Sequence, residues 1–269
     1  MKLRYNPYQI FHSSKTPAGL YARQKWLEEA ATQSWKHDCE KVIQRLLAEQ
    51  SPDGSWHHSP VETIGRLFGL HLTVRQSSAE IEMALSWLLS KITLPSNKIA
   101  VTAEDNLTTD ILKGLPFIPG RPDMLVVAAV LFLATIFGRE YDPAVLAIYQ
   151  WLSAEGVKNK GRWVDGPSSH NIFRAMVVHP AFAEDKATAL AVEYLSNLQT
   201  DCGDWGHEFS FYQTLNALAH LNLPMADMQI ERAFHRLVKN QNEDGTWSHS
   251  EPEWNTFLAV HALRNKGLL

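Results

Sequence analysis

Three short strings along this chain of 269 residues share one pattern, Gln-x-x-x-Gly-x-Trp: Gln50 to Trp56, Gln199 to Trp205 and Gln241 to Trp247. A fourth copy, Val157 to Trp163, keeps the Gly and the Trp and has lost the Gln; Trp163, Trp205 and Trp247 follow one another at a spacing of 42 residues. A fixed period of this size restricts a chain to repeat architectures, in which each unit buries its apolar face against its neighbours.

Each copy is preceded by apolar residues at helical spacing, such as Ala187, Ala191, Tyr194, Leu195 and Leu198, or Ala233, Leu237 and Val238. A second helical segment, richer in apolar residues, follows each copy: 63–72, 171–178, 211–221 and 255–263. The unit is therefore helix, tight turn, helix. The Gly supplies a left-handed backbone for the turn, and Asp or Asn beside it is expected to cap the following helix. The Trp is expected to pack between units, and the Gln to bond backbone groups left open at helix ends.

Two-helix units of this length build an open solenoid or a closed ring. The second helices are apolar on most sides, as an inner wall enclosed by amphipathic outer helices must be. Six inner segments begin near Pro17, Pro60, Asp123, His170, Phe211 and Trp254, with five outer ones between them. The expectation is an all-α, (α/α)6-type toroid spanning 1–269 as one domain, its outer ring one helix short.

The Gln-x-x-x-Gly-x-Trp strings resemble the QW repeats of squalene-hopene and oxidosqualene cyclases, which also occur in protein prenyltransferase β subunits. The resemblance covers nearly the whole chain and implies the fold of that superfamily. Class II cyclases of this kind protonate an alkene or epoxide with an Asp-x-Asp-Asp motif at the start of an inner helix. The matching place here reads Asp123-Met124-Leu125-Val126, which keeps only the first carboxylate. Asp105 to Thr109 is similar to a variant Asp-x-Asp-Thr-Thr motif, with Leu107 where the decisive carboxylate stands. Prenyltransferases hold zinc with an Asp-x-Cys pair and a His. The corresponding positions read Glu208-Phe209-Ser210 and Asn255, so that metal site is not implied, and no Asp-Asp-x-x-Asp cluster for magnesium occurs. The implied chemistry needs no cofactor for the acid step, and magnesium enters only if the substrate carries a diphosphate.

Composition narrows the remaining classes. A chain that is 45% hydrophobic and 20% charged, with a net charge of −4, has no basic field for nucleic acid. The two cysteines, Cys39 and Cys202, make no disulfide framework, and Met1 to Phe11 has no apolar signal core, which together point to a cytoplasmic location. The most apolar stretch, 124–138, falls short of the roughly 20 residues of a bilayer span and reads as a buried helix. Peripheral membrane association stays open, with Tyr5 to Phe11 as the one amphipathic candidate, and oligomeric state is not readable.

Sliding the repeats by 42 residues superposes His170-Asn171, Tyr212-Gln213 and Trp254-Asn255, with Val61-Glu62 a near match. Equivalent positions on a ring of helices converge on its axis. The expectation is a girdle of Glu62, Asn171, Gln213 and Asn255 at a pocket mouth, beside His170, Tyr212 and Trp254, with Arg66, Arg174 and Asn216 one turn deeper. Such a site would hold an anionic or oxygenated head group on the arginines, while aromatic faces accept the tail and stabilise a carbocation. The plainer reading is that these groups cap helices and pair with one another.

Between the outer helix ending near Lys91 and the inner helix at Asp123, a segment of about 30 residues, 92–122, replaces a short turn. It is expected to lie over the pocket mouth as a lid, and a lid carboxyl raised by burial could act as general acid. The candidates are Asp105, Asp110, Glu62 and Asp123, against the alternative of a solvated acidic loop. Three functions remain: a terpene cyclase-like enzyme (an isomerase or lyase) using proton-initiated cyclisation of a small apolar isoprenoid, a non-catalytic lipid- or partner-binding toroid, and a carbohydrate-active toroid using Tyr212, His170 and Glu62.

Overall fold

Proline opens five of the six helices that line the axis, which explains where they start. Its fixed φ and missing N–H suit the first helical turn, where the N–H has no intrahelical acceptor. These helices are α1 (Pro17–Lys25), α3 (Pro60–Thr73), α5 (Pro122–Ile136), α7 (Gly166–Met176) and α11 (Pro252–Asn265). The sixth, α9 (Phe211–Leu218), begins without one. Between them run the outer helices α2 (Gln33–Leu47), α4 (Ala79–Ser90), α6 (Pro143–Lys158), α8 (Lys186–Leu198) and α10 (Pro224–Lys239). The computed structural model describes residues 2–74, 76–94, 99–101, 110–206 and 208–269. Among them the only sheet is the two-residue pair β1 (Ile92–Thr93) and β2 (Ala100–Val101).

The inner helices close a ring. α1 packs on α3, α3 on α5, α5 on α7, α7 on α9, α9 on α11, and α11 returns to α1. The fold is the all-α toroid expected from the periodicity. Helix α5 is buried at every position from Met124 to Thr135, as befits a wall element covered on all sides.

The recurrent turns weld each unit to the next by one scheme. Gln50 Nε2 donates to Gly54 O in its own turn (2.9 Å) and to Glu80 O at the start of α4 (2.8 Å). Gln199 does the same toward Gly203 O and Gln229 O of α10. Glycine is required because the turn touches the backbone of the next outer helix: at Gly161, φ is +81° and a Cβ would fall 2.3 Å from the Ala191 nitrogen. The Trp indoles are buried; Trp56, Trp163 and Trp247 donate to carbonyls of the preceding outer helix, Ala48, Leu152 and Leu237. Their backbone N–H groups donate to hydroxyls of the following inner helix, Thr63, Ser169 and Thr256.

Two expectations are corrected. The turn acids do not cap the next helix: Asp53 and Asp244 accept from Ser55 N and Thr246 N within their own turns, and the inner helices α3 and α7 are capped by Ser59 and Asp165. Nor is the segment from Tyr5 to Phe11 free to lie on a membrane. Phe11 is fully buried, 5.5 Å from Trp26, and the third turn Gln, Gln241, donates to Tyr5 O and accepts from the Arg4 and Tyr5 N–H groups. The N-terminal segment thus takes the place, against Gln241, that an outer helix takes against Gln50 and Gln199. Among the described residues no helix is long and apolar enough to cross a membrane.

Candidate functional site

A cavity of about 460 Å³ lies on the ring axis, within the roughly 300–1,000 Å³ usual for small-molecule sites. All six inner helices contribute to its wall or continue into it: Tyr21 from α1, Phe68 and His71 from α3, Phe132 from α5, Arg174 from α7, Asn216 from α9, and Trp254, Phe257 and His261 from α11. The aromatic rings form one chain of contacts, with Phe68 6.0 Å from Phe132 and 5.9 Å from Trp254, and Trp254 stacked on Phe257 at 5.4 Å. A second apolar cavity of about 580 Å³, between α1, α3 and residues 111–115, shares Phe68, Leu72 and Trp254 with the first.

Several polar groups line the cavity. Arg174 is 5% exposed and its guanidinium sits 5.1 Å from the centre of the Phe132 ring. Its Nε and Nη1 have no hydrogen-bond partner among the described residues, and desolvation pushes its pKa down to about 9. It therefore remains charged at neutral pH, a buried cation without a carboxylate. His220 Nε2 and Trp254 Nε1 are likewise buried and unpartnered. Burial, then the charges of Arg174 and neighbouring histidines, hold His220 far below its ordinary pKa, so it is neutral. Asn216 Nδ2 donates to Leu258 O (3.2 Å) and lies 3.1 Å from His261 Nδ1, joining α9 to α11.

The mouth is organised differently. Asn171 is buried and grips the backbone of the insertion: its Oδ1 accepts from Ile118 N and its Nδ2 donates to Ile118 O, both at 2.9 Å. Leu112, Leu115 and Phe117 are buried, Phe117 meets Phe132 edge-on at 5.8 Å, and Pro116 lines the axial cavity. Leu112, Leu115, Pro116 and Phe117 thus pack against the inner helices, while Asp110, Ile111 and Lys113 are exposed. His170 is buried beside Phe209, with burial lowering its pKa to about 4. Tyr212 is half-buried, and desolvation raises its hydroxyl to about 12. Gln213 accepts from the Ser210 hydroxyl, and Asn255 donates to Ser250 O (2.8 Å), so both serve local turns.

Arg66 does not join Arg174. It donates to Arg45 O at the end of α2 and to Glu62 (3.0 Å), its i−4 neighbour. Glu62 faces outward, bonded also to His57, and that bond, opposed by partial burial and helped by Arg66, lowers its pKa. Asp110 is exposed and paired with Lys113, which lowers its pKa rather than raising it. At Asp123, burial is the largest influence and pushes upward, but the bond from Arg121 and the Met124 N–H outweigh it and the net shift is downward. Asp105 lies outside the described residues. None of Glu62, Asp110 and Asp123 lines the axial cavity.

Arg174, Asn216 and Trp254, three of the residues grouped by the repeat slide, line the axial cavity. His220 and His261 escaped the sequence reading, although the signal was present: His220 is one turn past Asn216 and His261 two turns past Trp254 on the same faces. Among the described residues no group of three or more His, Cys, Asp or Glu side chains is placed to hold a metal ion.

No family model matches the sequence, and no curated protein matches it. Solved structures do resemble the fold. A protein from Actinoplanes is similar with a TM-score of 0.60 and 17% identity, over 94% of this chain and 89% of that one. The type II terpene cyclase MstE from Scytonema is similar with a TM-score of 0.59 and 13% identity, over 95% and 89% of the two chains. A variant of MstE solved with its substrate, geranylgeranyl dihydroxybenzoate, gives 0.60 and 14%, over 95% and 88%. At these identities the likeness shows a shared fold, the helical toroid of a type II terpene cyclase.

Proposed function

We propose that this protein is a terpene cyclase-like enzyme that folds an isoprenoid chain into the axial cavity and cyclises it by proton initiation. The observation that carries the reading is the wall itself: a continuous aromatic surface from Phe68 through Phe132 and Trp254 to Phe257, enclosed by all six inner helices. Aromatic faces attract cations by their quadrupole, and a cavity that excludes water protects a carbocation from capture. In such a reaction a carboxylic acid adds a proton to a terminal alkene, a second double bond attacks the cation to close a ring, and loss of a proton restores neutrality. The acid is sought among Asp105, Asp110, Glu62 and Asp123. At Asp123 burial is the largest single influence, although the net shift is downward, and its restraining partner Arg121 is half exposed.

A non-catalytic carrier is the second reading, favoured by the lack of any carboxylate among the described residues lining the cavity. Incubating the protein with farnesyl, geranylgeranyl and squalene-type compounds, with and without magnesium, separates the two when products are read by mass spectrometry. A cyclic product that disappears in Asp105→Asn, Asp110→Asn, Glu62→Gln or Asp123→Asn establishes the enzyme and its acid. Substrates returned unchanged by a protein that binds them leave the carrier.

A further inference from the structure

We propose that the axial cavity takes an amphiphile with a single negative charge, an isoprenoid-length carboxylic acid, whose carboxylate docks on Arg174. The argument concerns the head group and rests on the cavity reading above only for the nature of the tail. Arg174 is the one Lys, Arg, Asp or Glu among the described residues lining the cavity. Its guanidinium carbon lies 5.1 Å from the centre of the Phe132 ring, and its Nε and Nη1 have no partner among the described residues, so this buried cation has unused hydrogen-bonding capacity that a carboxylate can meet. Trp254, another residue of the cavity wall, has an indole N–H that can only donate and has no acceptor among the described residues. A carboxylate would balance the buried positive charge of Arg174.

Charge selects among head groups. A neutral alcohol leaves the guanidinium uncompensated in an apolar cavity, whereas a diphosphate brings more negative charge than one arginine can match. His220, a histidine of the same wall, is held neutral by burial. No lining carboxylate is present among the described residues to bring in a divalent cation as counter-charge.

Calorimetric titration of the full chain with farnesoic acid, farnesol, farnesyl diphosphate and palmitic acid tests this, on the unmodified protein and on Arg174→Met and Arg174→Lys. Farnesoic acid is expected to bind at least about tenfold more tightly than farnesol. Arg174→Met should weaken the acid about a hundredfold while leaving farnesol within about threefold, with Arg174→Lys intermediate. Equal binding of acid and alcohol overturns the head-group assignment and leaves the isoprenoid reading standing. Tighter binding of the diphosphate, lost in Arg174→Met, overturns the single charge. Palmitic acid binding as well as farnesoic acid, with the same dependence on Arg174, upholds the head group and removes the isoprenoid. If Arg174→Met does not fold, the acid-to-alcohol ratio on the unmodified chain still decides, and binding of none of the four overturns both readings.

Discussion

Arg23 and Arg174 are both buried arginines on inner helices, 2% and 5% exposed, yet they sit in opposite electrostatic settings. Around Arg23 the ring is sealed. Its Nε donates to Glu29 (2.7 Å) and its Nη1 to Asp38 (2.9 Å) and Ser14 O (3.1 Å). Burial lowers its pKa, but these two carboxylates outweigh it and the net shift is upward. Arg174 has similar burial and no acid partner among the described residues, and desolvation lowers its pKa. The contrast teaches that a buried charge is structural when its counter-charge comes from the same chain. When the counter-charge is missing and a cavity takes its place, the chain carries a cost that a ligand can relieve.

The largest test of this contrast is Arg23→Leu, which strands Asp38 and Glu29 and should lower stability by about 3–5 kcal/mol in urea unfolding. Acidification comes next. A histidine whose folded pKa is depressed contributes stability that is present above its unfolded value and lost as pH falls toward the folded one. For His170, that window runs from the unfolded value of about 6.5 down to about 4 and is worth about 3 kcal/mol. Asp38 is held below the ordinary carboxylate range, chiefly by Arg23, so its own loss begins lower. Unfolding at a series of pH values should show the cavity region failing first, and His170→Gln should flatten the slope between pH 6.5 and 4. Arg174→Met should instead raise ligand-free stability by about 2 kcal/mol, because an uncompensated buried charge is replaced by a side chain of similar volume. A loss as large as that of Arg23→Leu would erase the distinction between the two sites. The smallest effect belongs to the insertion: Asn171→Ala removes two hydrogen bonds to Ile118 and should cost about 1 kcal/mol, read as faster amide exchange at Ile118.

The fold was legible because its unit is periodic and its punctuation chemical: a Gly that must meet a neighbouring backbone, a Trp at fixed offset, and prolines at inner-helix starts. The wall was legible only where that period holds. α7, α9 and α11 keep a 42-residue register, so Arg174, Asn216 and Trp254 could be placed together. α3 and α5 are out of register, and there the reading fails in instructive ways. Arg66 was aligned with Arg174, but Glu62 at i−4 offers it a local partner that pulls it outward. Phe132, the ring beneath Arg174, had no repeat partner to mark it. The Asn171 grip on Ile118 joins positions 53 apart in sequence across a non-repeating insertion, and nothing in local pattern encodes it.

The same glutamine clasp occurs at three places, but not over the same span of chain. Gln50 reaches Glu80 and Gln199 reaches Gln229, each across 30 positions, whereas Gln241 reaches Tyr5 across 236. Closing the longer loop carries an extra entropic penalty of about 2 kcal/mol. The first two clasps can therefore form while the chain is still assembling locally, and the third only once the ring is almost complete. In kinetic terms the seam between Gln241 and the N-terminal segment is the last joint of the toroid to form and the first that thermal opening should release.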